Sequence, residues 1–359
     1  MFKTYQKYII KNFINKFLII SLVFFSLIVI LTVLEEISFF KDLNVNLFYP
    51  YILTLLSSPI TLFEIFPFIF LIATQFVFYD LFKKDELNLL KTNGLSNLKI
   101  IKILFFTSII IGIFSISIFY NAASKLKFLY TDIKNNYSND NKYLAVVNNE
   151  GLWLKDEIDD KILIVKSANI DQNFLKDVII SELNFDFSLK RIIQSKKIDI
   201  EEKEWVIEKP KITINNITQE ETENLIFDTN FDNEKIYNLF SNISTLNIFE
   251  LFNLKKDYEN LGYSSDEIKI HLLRLFSAPL FYASLSVLSA VIMFNFRRGK
   301  SLFFYILQGI STSVVIYYIN FMFSSMGNNG QIPIMASIFL PILFISIIAT
   351  IGLIRVNEK

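Results

Sequence analysis

Long apolar segments separated by charged loops dominate this chain. A transmembrane helix needs about 20 mostly apolar residues. Windows of this kind predict six spans: Phe17 to Leu34, Pro59 to Tyr79, Ile103 to Tyr120, Leu272 to Phe296, Leu302 to Phe323 and Ile332 to Ile354. The second span lies in a longer proline-interrupted stretch that begins at Phe48, and we interpret its early part as an interfacial segment. The pattern predicts a polytopic membrane protein.

The charged, Asn-rich segment between the third and fourth spans has a different period. Leu183, Phe185 and Phe187 alternate with polar residues, as in strands with one buried face, and similar short runs extend from residue 143 to 215. Several such strands suggest an antiparallel sandwich or a jelly roll. Trp153 and Trp205 are expected in its core, with ligand stacking as the alternative. Helical connectors follow Phe227.

The chain therefore divides into three predicted regions. Residues 1–122 carry spans one to three, residues 123–267 form an inserted all-β jelly-roll-like domain with helical connectors, and residues 268–359 carry spans four to six. Together they predict a membrane α-helical fold with six transmembrane helices.

Lysine and arginine in the short loops predict the orientation, because such loops stay in the cytoplasm. Basic residues precede the first span, join the second to the third and the fourth to the fifth, and follow the sixth, whereas residues 324–331 carry no charge. Both termini are therefore expected in the cytoplasm and the β-domain outside it, in the periplasm of a cell with two membranes.

Composition excludes several kinds of chemistry. The net charge is zero, which disfavours nucleic-acid binding, and there is no cysteine for a thiolate site. His271 is the only histidine, expected to be solvated at a membrane boundary, so histidine triads and metal clusters are not expected. Gly299 to Ser301 imitate the end of a phosphate-binding loop, but Phe294 replaces its first glycine. We expect no catalytic residue, cofactor or metal.

Two regions remain candidates for function. Glu64 lies at a possible membrane depth, where a carboxylate is costly, so it lines a polar pathway or else sits at the interface. The loop from Asp80 to Lys102 contains Asp85 to Leu90, the pattern of a short amphipathic helix at about residues 83–94. Such a helix suits a groove on a cytoplasmic partner, although an ordinary basic membrane-surface loop is the simpler alternative.

These features resemble the lipopolysaccharide-export permeases LptF and LptG. Residues 84–96, Lys-Asp-Glu-Leu-Asn-Leu-Leu-Lys-Thr-Asn-Gly-Leu-Ser, resemble the coupling segment of that family. Similar agreement over the rest of the chain is found at Pro59 and Pro67, at Leu246 to Gly262, at Arg274 and Pro279, and at Gly330, Pro333 and Pro341. Residues 151–154 and 204–207 resemble β-domain strands of LptG, which favours that paralogue.

The resemblance implies a transport subunit rather than an enzyme. Its partners would be a paralogous LptF/LptG-type subunit, a cytoplasmic LptB-type ATPase dimer, a single-span LptC-type protein and a periplasmic jelly-roll bridge, and its cargo lipopolysaccharide. The resemblance places ATPase contacts on one set of residues: Asp85, Glu86, Leu87, Leu90, Gly94 and Ser96. We assign Lys41, Glu64 and Arg274 to the substrate path.

One departure from the family concerns phosphate capture. Where family members carry basic residues near the outer end of the first span, this chain has Glu35 and Glu36, expected to be solvated, and only Lys41 nearby.

Two rival interpretations of the function remain. One is a membrane-anchored assembly or sensory protein whose β-domain binds a periplasmic partner without transport, and the other is a proton-coupled carrier that uses Glu64.

Overall fold

The computed structural model describes the greater part of the chain: residues 3–41, 46, 48–135, 137, 152–158, 161–171, 173–184, 188–214, 217–221, 223–229, 231, 236, 243–260, 265–294 and 302–357. It forms two compact units. One combines Met1–Tyr130, Ser244–Leu251 and Ser265–Lys359, and the other combines Thr131–Ile243 and Phe252–Ser264. The first is helical and the second is built on a sheet.

Most helices lie in the first unit and follow the apolar segments. The helices are α1 (Thr4–Phe39), α2 (Tyr49–Glu64), α3 (Phe66–Lys83), α4 (Glu86–Thr92), α5 (Asn97–Phe114), α6 (Asn121–Asn135), α7 (Ile248–Asn260), α8 (Asp266–Phe294), α9 (Leu302–Asn328) and α10 (Ile334–Asn357). Helices α6 and α7 begin in the first unit and end in the second. Six helical segments of the described chain are long and apolar enough to cross a membrane: α1, α3, α5 with its continuation into α6, α8, α9 and α10. This confirms the predicted number of membrane spans.

The second predicted span is wrong in its boundaries. The helix breaks at Ile65, so Pro59 to Tyr79 covers the end of α2 as well as most of α3. Pro67 explains the restart, because a proline without an N–H group suits the first turn of a helix. Pro59 lies inside α2 without ending it. The predicted interfacial segment forms the rest of α2, which packs against α1 and fully buries Leu53.

Helix α8 lies at the centre of the spans and contacts α3, α5, α9 and α10. Three of its buried serines make hydrogen bonds to other helices: Ser286 to Ser108 (2.8 Å), Ser284 to Ser346 (3.0 Å) and Ser289 to the carbonyl of Leu71 (2.7 Å). Small residues let helix backbones approach closely, and interhelical hydrogen bonds add to the packing. These hydrogen bonds tie α8 to α5, α10 and α3, and α9 packs against it as the fourth neighbour.

A π-helical turn, Ser115–Tyr120, joins α5 to α6 and directs Tyr120 into the bundle. The Tyr120 hydroxyl donates to the carbonyl of Leu246 (3.1 Å) and lies 2.9 Å from Nε2 of His271. His271 is therefore half-buried and only partly solvated, with a partner that the sequence did not indicate. The π turn, a local rearrangement that sequence periodicity does not reveal, supplies its partner.

Glu36 also departs from expectation, because it is buried near the end of α1 rather than solvated. Its Oε1 accepts a hydrogen bond from the hydroxyl of Tyr130 in α6 (2.8 Å). A buried carboxylate needs such a partner. Glu35, its neighbour, is exposed as expected.

The second unit contains an antiparallel sheet. Its strands are β1 (Leu152–Ile158), β2 (Lys161–Asp171), β3 (Phe174–Asn184), β4 (Leu189–Asp199), β5 (Glu204–Ile207), β6 (Lys211–Ile214), β7 (Ile217–Glu220) and β8 (Leu225–Asp228). They pair in the order β1-β2-β3-β4-β5-β8, and β6 pairs with both β4 and β7. This confirms an antiparallel β-region. Predicted strand residues Phe185 and Phe187 lie outside the described residues, as do Gly151, Gly262 and the 295–301 loop.

Alternating positions of β3 to β5 form the core of this unit. Leu175, Ile180, Ile193 and Ile207 are almost fully buried. Trp205 is buried with them and donates from Nε1 to the carbonyl of Phe231 (2.8 Å), in agreement with the predicted core role. Its polar N–H group is thereby satisfied inside the core.

The same sheet buries two carboxylates among the described residues, Asp156 of β1 and Glu182 of β3. The contacts of Glu182 are the better defined. Its carboxylate accepts hydrogen bonds from Lys190 (3.0 Å) and from Arg191 of β4. Burial raises the pKa of Glu182, but the hydrogen bonds from Arg191 and Lys190 outweigh that effect and hold the pKa below its ordinary value. Glu182 therefore contributes to stability mainly in its ionised form.

Candidate functional site

Helix α4 is a short helix that connects α3 to α5. Its C-terminus is a Schellman motif: Gly94 donates to the carbonyl of Lys91 (2.9 Å) and Leu95 to that of Leu90 (3.0 Å). Gly94 has a φ of +81°, a conformation that costs glycine little. Ser96 then caps α5 by accepting from the N–H of Lys99 (3.3 Å). The predicted coupling segment is thus a short, well-ended helix.

Two polar contacts join this region to α1. The Tyr8 hydroxyl donates to Oε2 of Glu86 at 2.5 Å, and Lys16 Nζ lies 2.6 Å from Oδ2 of Asp80 at the end of α3. Sequence reasoning missed both pairs, since the partners are 64 or more positions apart in the sequence. The contacts make the position of α4 depend on that of α1.

The predicted contact residues divide into inward-facing and outward-facing groups. Leu87 is buried and anchors the helix, whereas Asp85, Gly94 and Ser96 are exposed; Leu90 is half-buried. Glu86 is half-buried because it faces Tyr8.

Leu89 is the apolar residue that sequence reasoning missed. It is 60% exposed, between the exposed polar residues Asn88 and Lys91. Leu87 and Leu90 are three positions apart and therefore share the inward face of the helix. On a helix with that inward face, Leu89 lies on the outer face, so its exposure could have been predicted from the sequence. An exposed leucine on a short helix suits insertion into a groove of a partner.

The residues assigned to the substrate path are partly brought together. Glu64, at the end of α2, interacts electrostatically with Arg274 of α8 and with Lys127 of α6. Arg274 donates from Nη2 to the hydroxyl of Ser324 in α9 (2.8 Å). Lys41 is exposed just beyond α1. Lys127 was not predicted, since no sequence pattern links it to Glu64.

Glu64 lines a cleft between α3, α8 and α9. The lining also includes Pro67, Phe68, Phe281, Leu285, Ser313, Ile316, Tyr317 and Asn320, and the cavity volume is about 40 Å³. The cleft is therefore mostly apolar, with a few polar groups that converge on it.

A comparison of the sequence with models of protein families identifies the family. The sequence model of the family described as "Lipopolysaccharide export system permease LptF/LptG" matches residues 7–355, which include all six apolar helices and the sheet. The chain belongs to the LptF/LptG family. None of the curated proteins compared with the chain matches it.

Membership in the LptF/LptG family confirms the resemblance read from the sequence. LptF/LptG proteins are the permease subunits of lipopolysaccharide export, and the six apolar helices make this member a multi-pass inner-membrane protein. The choice of LptG over LptF stays a prediction.

Proposed function

We propose that this chain is an LptG-type half of a lipopolysaccharide exporter. It pairs with a paralogous subunit, takes lipopolysaccharide from the outer leaflet of the inner membrane and passes it to a periplasmic bridge of jelly-roll domains. An LptB-type ATPase dimer in the cytoplasm supplies the energy, and a single-span LptC-type protein completes the complex. Both termini are cytoplasmic and the β-unit, with a jelly-roll fold, is periplasmic.

The geometry of α4 carries this proposal. Leu89 of this helix is exposed, Leu87 is buried, and the helix ends at Gly94. Glu86 accepts a hydrogen bond from the hydroxyl of Tyr8 in α1. A partner that moves α4 therefore also pulls on the first span. This arrangement suits the transfer of force from a soluble ATPase to a membrane helix.

The exposed spans support a path for an amphipathic lipid. In the most apolar windows of α1 and α9 only 17% of residues are buried, against 67% for α8. Such faces need lipid or another subunit against them.

The β-unit pairs with the bridge through a sheet edge. Strand β7 pairs with β6 alone within the described residues, and all four of its residues are exposed.

A pull-down from membranes tests the ATPase contact. The tagged wild-type chain is expected to recover an ATPase. Glu86→Arg is expected to reduce recovery at least about ten-fold, because reversal of a contact charge at an interface costs several kcal/mol. Glu35→Arg, the same change on an exposed glutamate at the other end of α1, is the matched control. The coupling role is wrong if Glu86→Arg leaves both recovery and lipid export unchanged.

A crosslinking experiment separates export from anchoring or sensing. Photoreactive residues at exposed positions of α1 and α9, such as Leu27 and Val315, are expected to capture lipopolysaccharide, whereas Ala290 inside the bundle is not. Absence of capture at both exposed positions would favour a protein that binds a periplasmic partner without transport.

A further inference from the structure

The N-terminal part of α1 extends beyond the membrane span that its sequence predicts. The helix has 36 residues, which is about 54 Å at 1.5 Å per residue, whereas the hydrocarbon core is about 30 Å thick. The uncharged apolar stretch begins only at Phe17, so Thr4 to Lys16 lie on the N-terminal side of it. Ile9 and Phe13 of this extension are 1% and 0% exposed. The extension is therefore packed against the bundle on one face, and its other faces have fixed positions.

One exposed stripe runs from this extension into the span. Lys3, Lys7 and Lys11 follow one another at four-residue spacing, and Ile14 and Leu18 continue the same face of the helix. All five residues are exposed, Ile14 by 37% and Leu18 by 58%. The stripe thus changes from cationic to apolar in the direction in which α1 enters the hydrocarbon.

Two lysines of this stripe have no anionic partner within the described part of the chain. Neither Lys7 nor Lys11 makes a side-chain hydrogen bond or an ion pair there. Lys16, which the helical period places on another face, is used differently, because it pairs with Asp80 at 2.6 Å. No aspartate or glutamate precedes Glu35 in the sequence, so the extension supplies no anion of its own.

The alignment of the lysines is more than membrane orientation requires. Orientation depends on the number of basic residues beside a span, so lysines that serve it alone need not share a helix face. Lys7 and Lys11 do share one, and their Cβ atoms are about 5–6 Å apart at this spacing. Two ammonium groups at that spacing can bind the same phosphate group through charge-assisted hydrogen bonds.

An open groove follows the stripe. It is lined by Lys7, Ile10, Lys11, Ile14 and Asn15, and its volume is about 320 Å³. Cationic and apolar side chains in this order match the phosphate and the acyl chain of a phospholipid. A free phosphate ion would use only the lysines. Lysine clusters beside a transmembrane helix are attracted to anionic lipids, which gives the same ligand class from electrostatics.

We propose that this groove binds an acidic phospholipid, with Lys7 and Lys11 at its phosphate and an acyl chain along Ile14 and Leu18. The headgroup must carry a net negative charge, because a zwitterionic headgroup neutralises its phosphate with its own cation. The placement of this lipid in the cytoplasmic leaflet rests on the proposed cytoplasmic N-terminus. The binding itself needs neither that orientation nor lipid export.

Native mass spectrometry of the purified full-length chain tests the groove. The probes are phosphatidylglycerol and phosphatidylcholine with the same acyl chains, and wild type is expected to prefer phosphatidylglycerol. The double variant Lys7→Gln/Lys11→Gln is expected to bind phosphatidylglycerol about 30-fold more weakly, because each lysine near an anionic headgroup contributes about 1 kcal/mol, or about five-fold. Its affinity for phosphatidylcholine is expected to change little.

A second variant separates the groove from total charge. Lys11→Gln/Asn12→Lys keeps the number of lysines but moves one of them about 100° around the helix. It is expected to lose about five-fold in affinity for phosphatidylglycerol. Wild-type affinity in this variant would mean that total charge alone holds the lipid, which overturns the proposal.

Two other results would also overturn it. One is wild-type affinity for phosphatidylglycerol in Lys7→Gln/Lys11→Gln. The other is the loss of bound phosphatidylglycerol when the chain is purified with its paralogous subunit or with an ATPase, because the stripe would then be a protein contact. Lipid export is measured separately, so its absence would count against the proposed function and not against the lipid site.

Discussion

Gly112 of α5 is the sharpest point at which to test the helix packing. A Cβ atom at this position would lie 2.7 Å from the Cα of Pro279 and 3.2 Å from the ring of Tyr282 in α8. Carbon atoms normally meet at about 3.5–4.0 Å, so Gly112→Ala requires the two backbones to separate by roughly 1 Å. Overpacking of this kind costs about 1–3 kcal/mol.

Helix propensity offsets part of that cost. Alanine is better than glycine inside a helix by about 1 kcal/mol, so we expect Gly112→Ala to destabilise the helical unit by about 1–2 kcal/mol. Gly352→Ala of α10 is the comparison variant, because its added Cβ would meet only a side chain, Cγ1 of Val291 at 2.4 Å, and no backbone atom. The χ1 angle of a valine in a helix is restricted, so this variant is also expected to lose stability, but less than Gly112→Ala because a side chain yields more easily than a backbone.

Thermal loss of the monodisperse peak in size-exclusion chromatography measures both variants in the full chain. The midpoint for Gly112→Ala is expected to fall by several degrees and that for Gly352→Ala by less. A wild-type midpoint for Gly112→Ala would refute the inference that α5 and α8 are in backbone contact. Equal losses in both variants would mean that any added methyl group is harmful, whatever it meets.

Three further outcomes are expected. Because the folded pKa of Glu182 lies below its ordinary value of about 4.5, its contribution is complete above that pH and is lost as the pH falls through the folded pKa. In urea titrations followed by tryptophan fluorescence, which reports the β-unit alone, the advantage of wild type over Glu182→Gln should therefore shrink below about pH 4.5; a constant difference would exclude ionised Glu182 as the cause. Tyr8→Phe should leave ATPase recovery intact but lower lipid release per ATP hydrolysed, since it removes only the link from Glu86 to α1; unchanged release would mean that the link transmits nothing. Leu89→Asp should reduce ATPase recovery about ten-fold or more, because a leucine buried at an interface contributes roughly 1.5–3 kcal/mol, and full recovery would exclude Leu89 from the contact.

Sequence periodicity predicted the elements that depend on a repeated pattern. The six apolar helices and the antiparallel strands each have many residues that agree, so single exceptions do not obscure them. The break at Ile65 was missed because the apolar character continues through it. Pro67 restarts the helix there, whereas Pro59 is accommodated inside one.

Long-range partners were beyond the sequence. Glu36 finds Tyr130, Glu86 finds Tyr8 and His271 finds Tyr120 across 78 or more positions. No local spacing marks such pairs, since each depends on which helices become neighbours. The exposed Leu89 was different, because helical periodicity alone placed it outward.

The start of α7 was not predicted, although a local sequence pattern marks it. Asn247 Oδ1 accepts from the N–H groups of Phe249 and Glu250, and the Glu250 carboxylate accepts from the N–H of Asn247 (2.8 Å). Asn-x-x-Glu is close to the known capping-box pattern and was readable from the sequence. The helix start at Ile248 could therefore have been predicted.

The serine and glycine contacts around α8 limit how this protein can change shape. A helix hydrogen-bonded to all four of its neighbours cannot slide without the loss of several contacts at once. The outer helices, α1 and α9, bury fewer residues in their apolar windows, although each has polar contacts of its own, such as Glu36 with Tyr130 and Ser324 with Arg274. A change of shape at the rim of the bundle is therefore expected to disturb less packing than one at its hub.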